Sequence, residues 1–217
     1  MKMGYGLGAA GAALLLLSSL APGQSTADSA QAVTAPPRDW SFYASGFAYF
    51  VPEDRDYLAP ICTADRDRLH LEARYNYEDL ETAALFLGWN FSAGDKLSLH
   101  ATPMIGGVFG NTAGIAPGFK ITLGYQRVEF YSESEYLFDA HDSSESFYYN
   151  WSELSYALLD WSHAGLVIQR TKVYQTELDV QRGLLAGFSH GEVDCTAYVF
   201  NLGWTSPTVV LALGYGF

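Results

Sequence analysis

From Trp40 to the C-terminus, apolar and polar positions alternate along the chain in runs broken by short polar turns. A period of two marks a β-strand with one face buried in an apolar medium. Residues 67–77, DRLHLEARYNY, show it most clearly. Leu69, Leu71, Ala73, Tyr75 and Tyr77 fall on one face, and Arg68, His70, Glu72, Arg74 and Asn76 on the other. In residues 96–105, Leu97, Leu99, Ala101, Pro103 and Ile105 oppose Lys96, Ser98, His100, Thr102 and Met104. In residues 119–126, Phe119, Ile121, Leu123 and Tyr125 oppose Lys120, Thr122, Gly124 and Gln126. Residues 192–201 repeat the pattern.

Counting such segments predicts about twelve strands, near 40–51, 56–64, 67–77, 81–91, 95–108, 116–125, 127–138, 147–159, 163–174, 183–190, 192–202 and 207–217. The strand near 56–64 is the least regular, because Pro60 lies inside it. Loop chemistry marks the breaks at 52–54, 77–79, 92–95, 110–114 and 205–207, and DAHDSSES at 139–146 is the most polar stretch. The pattern predicts an all-β chain. The expected form is a closed up-and-down antiparallel transmembrane β-barrel of about twelve strands, with ten strands or a soluble β-barrel as alternatives.

The aromatic residues sort by strand end. With an even strand count, one side collects Trp40, Phe42, Trp89, Phe91, Tyr125, Trp161, Phe188, Tyr215 and Phe217. The other collects Tyr49, Phe50, Tyr75, Tyr77, Phe109, Phe138, Phe147, Tyr174, Phe200 and Trp204. Two aromatic belts around an aliphatic band are what a transmembrane barrel needs, because Trp and Tyr settle at the headgroup level. A soluble barrel would use the same residues as core.

Composition narrows the classes. The formal net charge of -12 argues against nucleic acid, which requires clustered Lys and Arg. The N-terminus carries Lys2, an apolar run from Gly8 to Leu20, and small-x-small sites at Ser25–Ala27 and Ala30–Ala32. This is the pattern of a secretory signal peptide over 1–27, with cleavage as late as 32 as an alternative. Residues 28–39 read as a flexible leader, and 40–217 as the barrel. Cys62 and Cys195 are the only cysteines. An exported chain could pair them, and their spacing does not decide it.

The chain ends in TVVLALGYGF, with Val209, Leu211, Leu213, Tyr215 and Phe217 on the bulky face. Here it resembles bacterial outer-membrane β-barrel proteins. The resemblance implies an outer-membrane location, contact with membrane lipid, and recognition of the terminal Phe by the assembly machinery.

Candidate chemistry lies on the polar faces, which line the predicted lumen. The candidate lining residues are Arg68, His70, Glu72, Arg74, Asn76, Lys96, His100, Lys120, Glu129, Glu133, Glu135, Glu153, Arg170 and Lys172. Such a set reads either as a pore lining for a small polar or cationic solute or as a structural ion-pair lattice, since twelve strands lie between filled and open barrels. One strand pair conflicts internally. If Glu129, Glu133 and Glu135 face inward, Ser132 and Ser134 face lipid; and Arg170 and Lys172 share parity with Leu166 and Ile168. A β-bulge or projection beyond the bilayer would resolve it.

Three other features bear on chemistry. Ser98 and His100 share a face, which an outer-membrane lipid-modifying enzyme would need, but no motif supplies an orienting acid or an oxyanion site. His141, Asp142 and Glu145 could hold a divalent cation, but a charged loop is far more often simply solvated. The run Gly106–Gly110 precedes no helix and no Lys-Ser/Thr, so it is not a phosphate loop. No catalytic residue, metal or cofactor is indicated. The expected function is a passive channel or binder for a small polar solute, with a structural barrel as the alternative.

Overall fold

A computed structural model describes residues 39–52, 54–171, 180–203 and 207–217. The predicted signal peptide, most of the leader, Lys172, Tyr174 and Trp204 lie outside the described residues. The strands are β1 (Ser41–Phe50), β2 (Tyr57–Arg66), β3 (Leu69–Tyr75), β4 (Thr82–Trp89), β5 (Phe91–Ala93), β6 (Leu97–Gly110), β7 (Gly114–Tyr125), β8 (Val128–Asp139), β9 (Phe147–Leu159), β10 (Ser162–Arg170), β11 (Val180–His190), β12 (Val193–Phe200) and β13 (Thr208–Gly216). Each pairs antiparallel with its neighbours. β4 and β5 flank Asn90 and both pair with β6, so they form one stave, and the thirteen segments make a twelve-stave wall.

The wall closes where β13 pairs with β1, from Tyr43↔Gly216 to Phe50↔Val209. Phe42 and Phe217 exchange two further backbone hydrogen bonds, each 3.0 Å. In lipid an unpaired strand edge would strand its backbone donors and acceptors, so closure is obligatory. The two ends of the barrel differ. On the side of the termini, β2–β3, β7–β8, β9–β10 and β11–β12 are joined by two-residue turns. Asp67, Gln126 and Gly191 there take the left-handed conformation that tight hairpin turns require. The opposite rim carries the longer loops, including residues 76–81 and 140–146. Pro60 is tolerated within β2 because β3 pairs with that strand only from Ile61 onward.

The barrel is inside-out relative to a soluble protein. Leu85, Leu87, Ile105, Leu166, Leu184, Leu211 and Leu213 are all exposed on the outer wall, Leu85 at 62%. A water-soluble barrel would not carry a continuous apolar skin of this extent. The soluble alternative is therefore set aside, and the wall is that of a transmembrane barrel.

All nine aromatics assigned to the terminus side are exposed on the outer wall. The far belt is partly corrected. Phe50, Tyr75, Phe109 and Phe138 face outward, but Tyr49, Tyr77, Phe147 and Phe200 are buried inside. Their parity, or in the case of Tyr77 an inward-turned loop, directs them to the lumen. Tyr136 and Tyr148 join the outer belt instead. Cys62 and Cys195 are unpaired thiols.

No bulge is needed in β8. Tyr131, Glu133, Glu135 and Leu137 are buried inward, while Phe130, Ser132, Ser134, Tyr136 and Phe138 take the opposite parity. Ser132 and Ser134 are nonetheless covered, because the register sets Ser132 against Ser152 and Ser134 against Asn150. The two Ser hydroxyls at 132 and 152 share a hydrogen bond of 2.9 Å. The Asn150 amide donates to the Glu133 carbonyl (3.1 Å) and to the Ser134 hydroxyl (2.8 Å). A polar ladder thus sits on the lipid side with its hydrogen bonds satisfied locally, which lowers the cost of holding it there.

Candidate functional site

Among the described residues, the lumen holds a connected polar network and an aromatic cluster. Inward parity on β3 delivers His70, Glu72 and Arg74; β7 delivers Lys120; β8 delivers Tyr131, Glu133 and Glu135. The network begins at Thr102, whose hydroxyl donates to Asn90 Oδ1 at 2.6 Å. Asn90 donates to Asp65 Oδ1 at 2.6 Å. His70 then bridges Asp65 through Nδ1 (2.8 Å) and Glu72 through Nε2 (3.0 Å). The Glu72 carboxylate accepts from Arg74 Nε and Lys120 Nζ.

Arg74 is the hub. Its guanidinium reaches Glu78 at 3.2 Å and Glu135 at 3.3 Å, and Nη2 lies 2.6 Å from Glu133 Oε1 as an ion pair without hydrogen-bond alignment. It also lies over the Phe86 ring at 4.4 Å and the Tyr77 ring at 4.7 Å, within cation–π range. Three staves intervene between β3 and β8, the strand of Glu133 and Glu135, so these contacts cross the lumen. Gly106 makes the stack possible: a Cβ there would lie 2.5 Å from the Phe86 ring. This is what the glycine-rich run does in the fold.

Glu78 is absent from the sequence-proposed set. It lies beyond the strand ends, in the β3–β4 loop, yet its side chain is fully buried under the rim. Burial pushes its carboxyl up to about 7 against the opposing pull of Arg74. The loop is pinned from outside by the Thr112 hydroxyl, which donates to Asp79 at 2.7 Å, and by the Asn111 amide, which donates to the Leu80 carbonyl at 3.0 Å.

The aromatic cluster closes the remaining cross-section. Trp151 on β9 meets Phe47 on β1 at 6.1 Å, Tyr198 on β12 at 5.1 Å and Phe200 at 5.6 Å between ring centroids. Glu153 accepts from Trp151 Nε1 (2.6 Å) and from the Tyr198 hydroxyl (3.0 Å). Tyr77 bridges the two systems, lying 6.3 Å from Phe47 and 5.2 Å from Tyr149. Aromatic pairs in these edge and tilted geometries contribute about 0.5–1.5 kcal/mol each beyond their buried area. Toward the termini the inward residues are smaller, among them Ser98, Gly124, Ser155, Gly187 and Gly214, and most are only half-buried. The interior is therefore a vestibule on the terminus side that narrows to a shut level in the far half.

Of the sequence-proposed lining residues, the structure brings His70, Glu72, Arg74, Lys120, Glu133 and Glu135 into one network, and places Glu153 beside Trp151. Glu129 shares their inward parity, and His100 pairs with Ser92 at 2.9 Å near the terminus-side end. Four residues are placed elsewhere. Arg68 and Lys96 are exposed in terminus-side turns, because their strands begin one residue later, at Leu69 and Leu97. Asn76 has a left-handed backbone and ties the rim, donating to the Leu58 carbonyl and accepting from Glu81 N–H. Arg170 follows the outward parity of Leu166 and Ile168 and donates to the Tyr148 carbonyl at 2.7 Å. The Ser98 hydroxyl donates to the Gly124 carbonyl, so Ser98 is not paired with His100.

No protein-family model matches the sequence, and neither does any curated protein. Porins are among the solved structures it resembles. The KdgM porin superposes with a TM-score of 0.57 at 10% identity, over 81% of this chain and 99% of that one. The KdgM porin in complex with disordered oligogalacturonate gives 0.56 at 10% identity, over 82% and 99%. OccK2 (OpdF) of Pseudomonas aeruginosa overlaps more loosely, with a TM-score of 0.41 at 9% identity over 82% of this chain and 66% of its own. At such identities the KdgM likeness is one of fold: a closed antiparallel barrel of matching size.

Proposed function

We propose that this chain is an exported outer-membrane β-barrel that forms a channel for small polar solutes, with a preference for cations. The observation that carries the reading is the charge of the lumen wall. Glu72, Glu78, Glu133, Glu135 and Glu153 face two permanent cations, Arg74 and Lys120, inside an apolar skin. KdgM has been captured with oligogalacturonate, an anionic sugar acid. The same ligand would find carboxyl groups outnumbering cations here, and those that are ionised repel it across low-dielectric walls. A cationic or neutral polar solute fits the lining better.

Residues 1–27 serve in this reading as the cleaved signal peptide, and the lipid bilayer and the outer-membrane assembly machinery are the expected partners. Phe217, stacked on Phe42 at 5.6 Å, stands at the seam where the last strand closes on the first. The test is reconstitution into planar bilayers, with reversal potential read across a KCl gradient. A conducting barrel with cation-sided reversal supports the proposal, and anion-sided reversal refutes the preference.

A second reading, a structural barrel with a filled lumen, is favoured by one observation. Arg74–Glu135 and Phe47–Trp151 span the interior and leave the far half shut. A barrel that never conducts, in any salt or voltage, would establish it.

A further inference from the structure

The cage around Arg74 reveals more than closure. A protein's own side chain, held in a cavity, reports which chemical group that cavity accepts. Here the group is a guanidinium. It has Phe86 at 4.4 Å and Tyr77 at 4.7 Å for its π-system, and Glu72, Glu78, Glu133 and Glu135 for its N–H donors. Planar cations with several N–H donors and weak hydration suit such a site better than a compact ammonium does.

The cage also holds more carboxyl groups than cations of its own chain. Four carboxylates face Arg74 and Lys120. Among the described residues, Glu78 Oε2 and Glu135 Oε1 are buried with no hydrogen-bond partner, although both residues lie against the guanidinium. Buried acceptors of this kind are normally satisfied. Arg74 enters from the wall as one strand residue on β3, and its buried guanidinium stands at the shut level of the lumen. A cation that moves down the lumen must pass this level and compete for the same oxygens and ring faces.

Building on the channel reading above, we propose that the Arg74 cage is the solute-selection site of the barrel, that it takes guanidinium-bearing solutes, and that Arg74 is the internal competitor that keeps it shut. The cage excludes anions through its carboxylates, and it discriminates against neutral solutes because they would leave the buried oxygens unpaired.

The test uses agmatine, which carries a guanidinium, with glutamate and a neutral amide of similar size as controls. Arg74→Ala vacates the cage. In micelles, calorimetry should show agmatine binding this variant at least about tenfold more tightly than the wild type, a difference of about 1.4 kcal/mol. Neither control should bind. In bilayers, agmatine should block the K⁺ current of the variant at lower concentration than that of the wild type, and Glu135→Gln in the native background should weaken the block.

If Arg74→Ala cannot fold alone, agmatine added during refolding should restore it by binding the folded state only. Folded Arg74→Ala that binds no agmatine, or refolding that agmatine fails to rescue, overturns the site. So does equal block by the neutral amide. Agmatine binding without conductance in any variant would keep the site and refute the channel. Conductance without any agmatine effect would do the reverse.

Discussion

Trp151 tests whether the aromatic level closes the lumen. Its side chain is 1% exposed, and its ring packs on Phe47, Tyr198 and Phe200 from other parts of the wall. Trp151→Ala removes the whole ring and leaves a void, a change that costs about 3–5 kcal/mol in packed interiors. It also takes away one of the two donors to Glu153, whose remaining partner is the Tyr198 hydroxyl. Losing a donor to a buried carboxylate adds about 1–3 kcal/mol. Water entering from the vestibule offsets part of this, since it can hydrate Glu153 and fill the void. The expected loss is therefore about 4 kcal/mol, read as denaturant unfolding in micelles.

The same water is the functional signature. A void at this level joins the vestibule to the far rim, so single-channel conductance in bilayers should rise well above that of the wild type. Trp151→Phe keeps most of the plug and loses only the N–H, so it should cost about 1–3 kcal/mol without opening the path. The reasoning fails if Trp151→Ala unfolds within about 1 kcal/mol of the wild type and conducts no better, because the ring would then neither pack nor obstruct.

Four further outcomes are expected. Leu213→Arg, on the outer wall, should destabilise the barrel by about 2–4 kcal/mol, and Thr122→Arg, which is inward and beside the vestibule, should cost less; equal costs in micelle unfolding would invert the assignment of faces. Asn150→Ala should cost about 1–2 kcal/mol in the same assay, because the Glu133 carbonyl loses the Asn150 amide and the Ser134 hydroxyl keeps only the Tyr148 hydroxyl as donor on the lipid side. Deleting Phe217 removes the pair of backbone bonds to Phe42 and should lower the yield of heat-modifiable, folded barrel on gels. The Glu78 carboxyl is raised from 4.5 to about 7 in the fold, so the folded state holds its proton more tightly than the unfolded chain does. Its contribution to stability is then present at acid pH and is lost as pH rises from about 4.5 through about 7. Glu78→Gln should flatten the unfolding profile across that window, and an unchanged profile would remove Glu78 as its source.

Much of the barrel was legible from alternation alone. Period-two patterning specifies which side chains share a face, and in a closed sheet each face meets one solvent. That reasoning located His70, Glu72 and Arg74 together on the inner face, and Val209, Leu211 and Leu213 on the outer one. It also exposed the conflict at Ser132 and Ser134, which the structure resolves with hydrogen bonds across the β8–β9 pair. The twelve staves were countable for the same reason, because each apolar–polar run is one membrane crossing long. The terminal strand needed nothing further: its small inward residues and bulky outward ones are read directly from residues 208–217.

What alternation could not supply is contact between strands distant in sequence. That Arg74 meets Glu133 and Glu135 across the lumen depends on barrel closure and stagger, which no single strand encodes. Tyr49 and Phe200 looked like belt residues because aromatic type says interface, while parity, once the register was set, directed them inward. Glu78 sat in a turn by every local rule, and only the rim loop folding over the lumen buried it. Arg170 misled for the opposite reason: its charge argued for the interior, but the strand's parity was decided by Val167 and Gln169, and the guanidinium found the Tyr148 carbonyl on the outer rim. Local pattern set the faces, and the closed register alone decided which charges and rings meet inside, since opposition across a lumen is a property of the whole ring of strands.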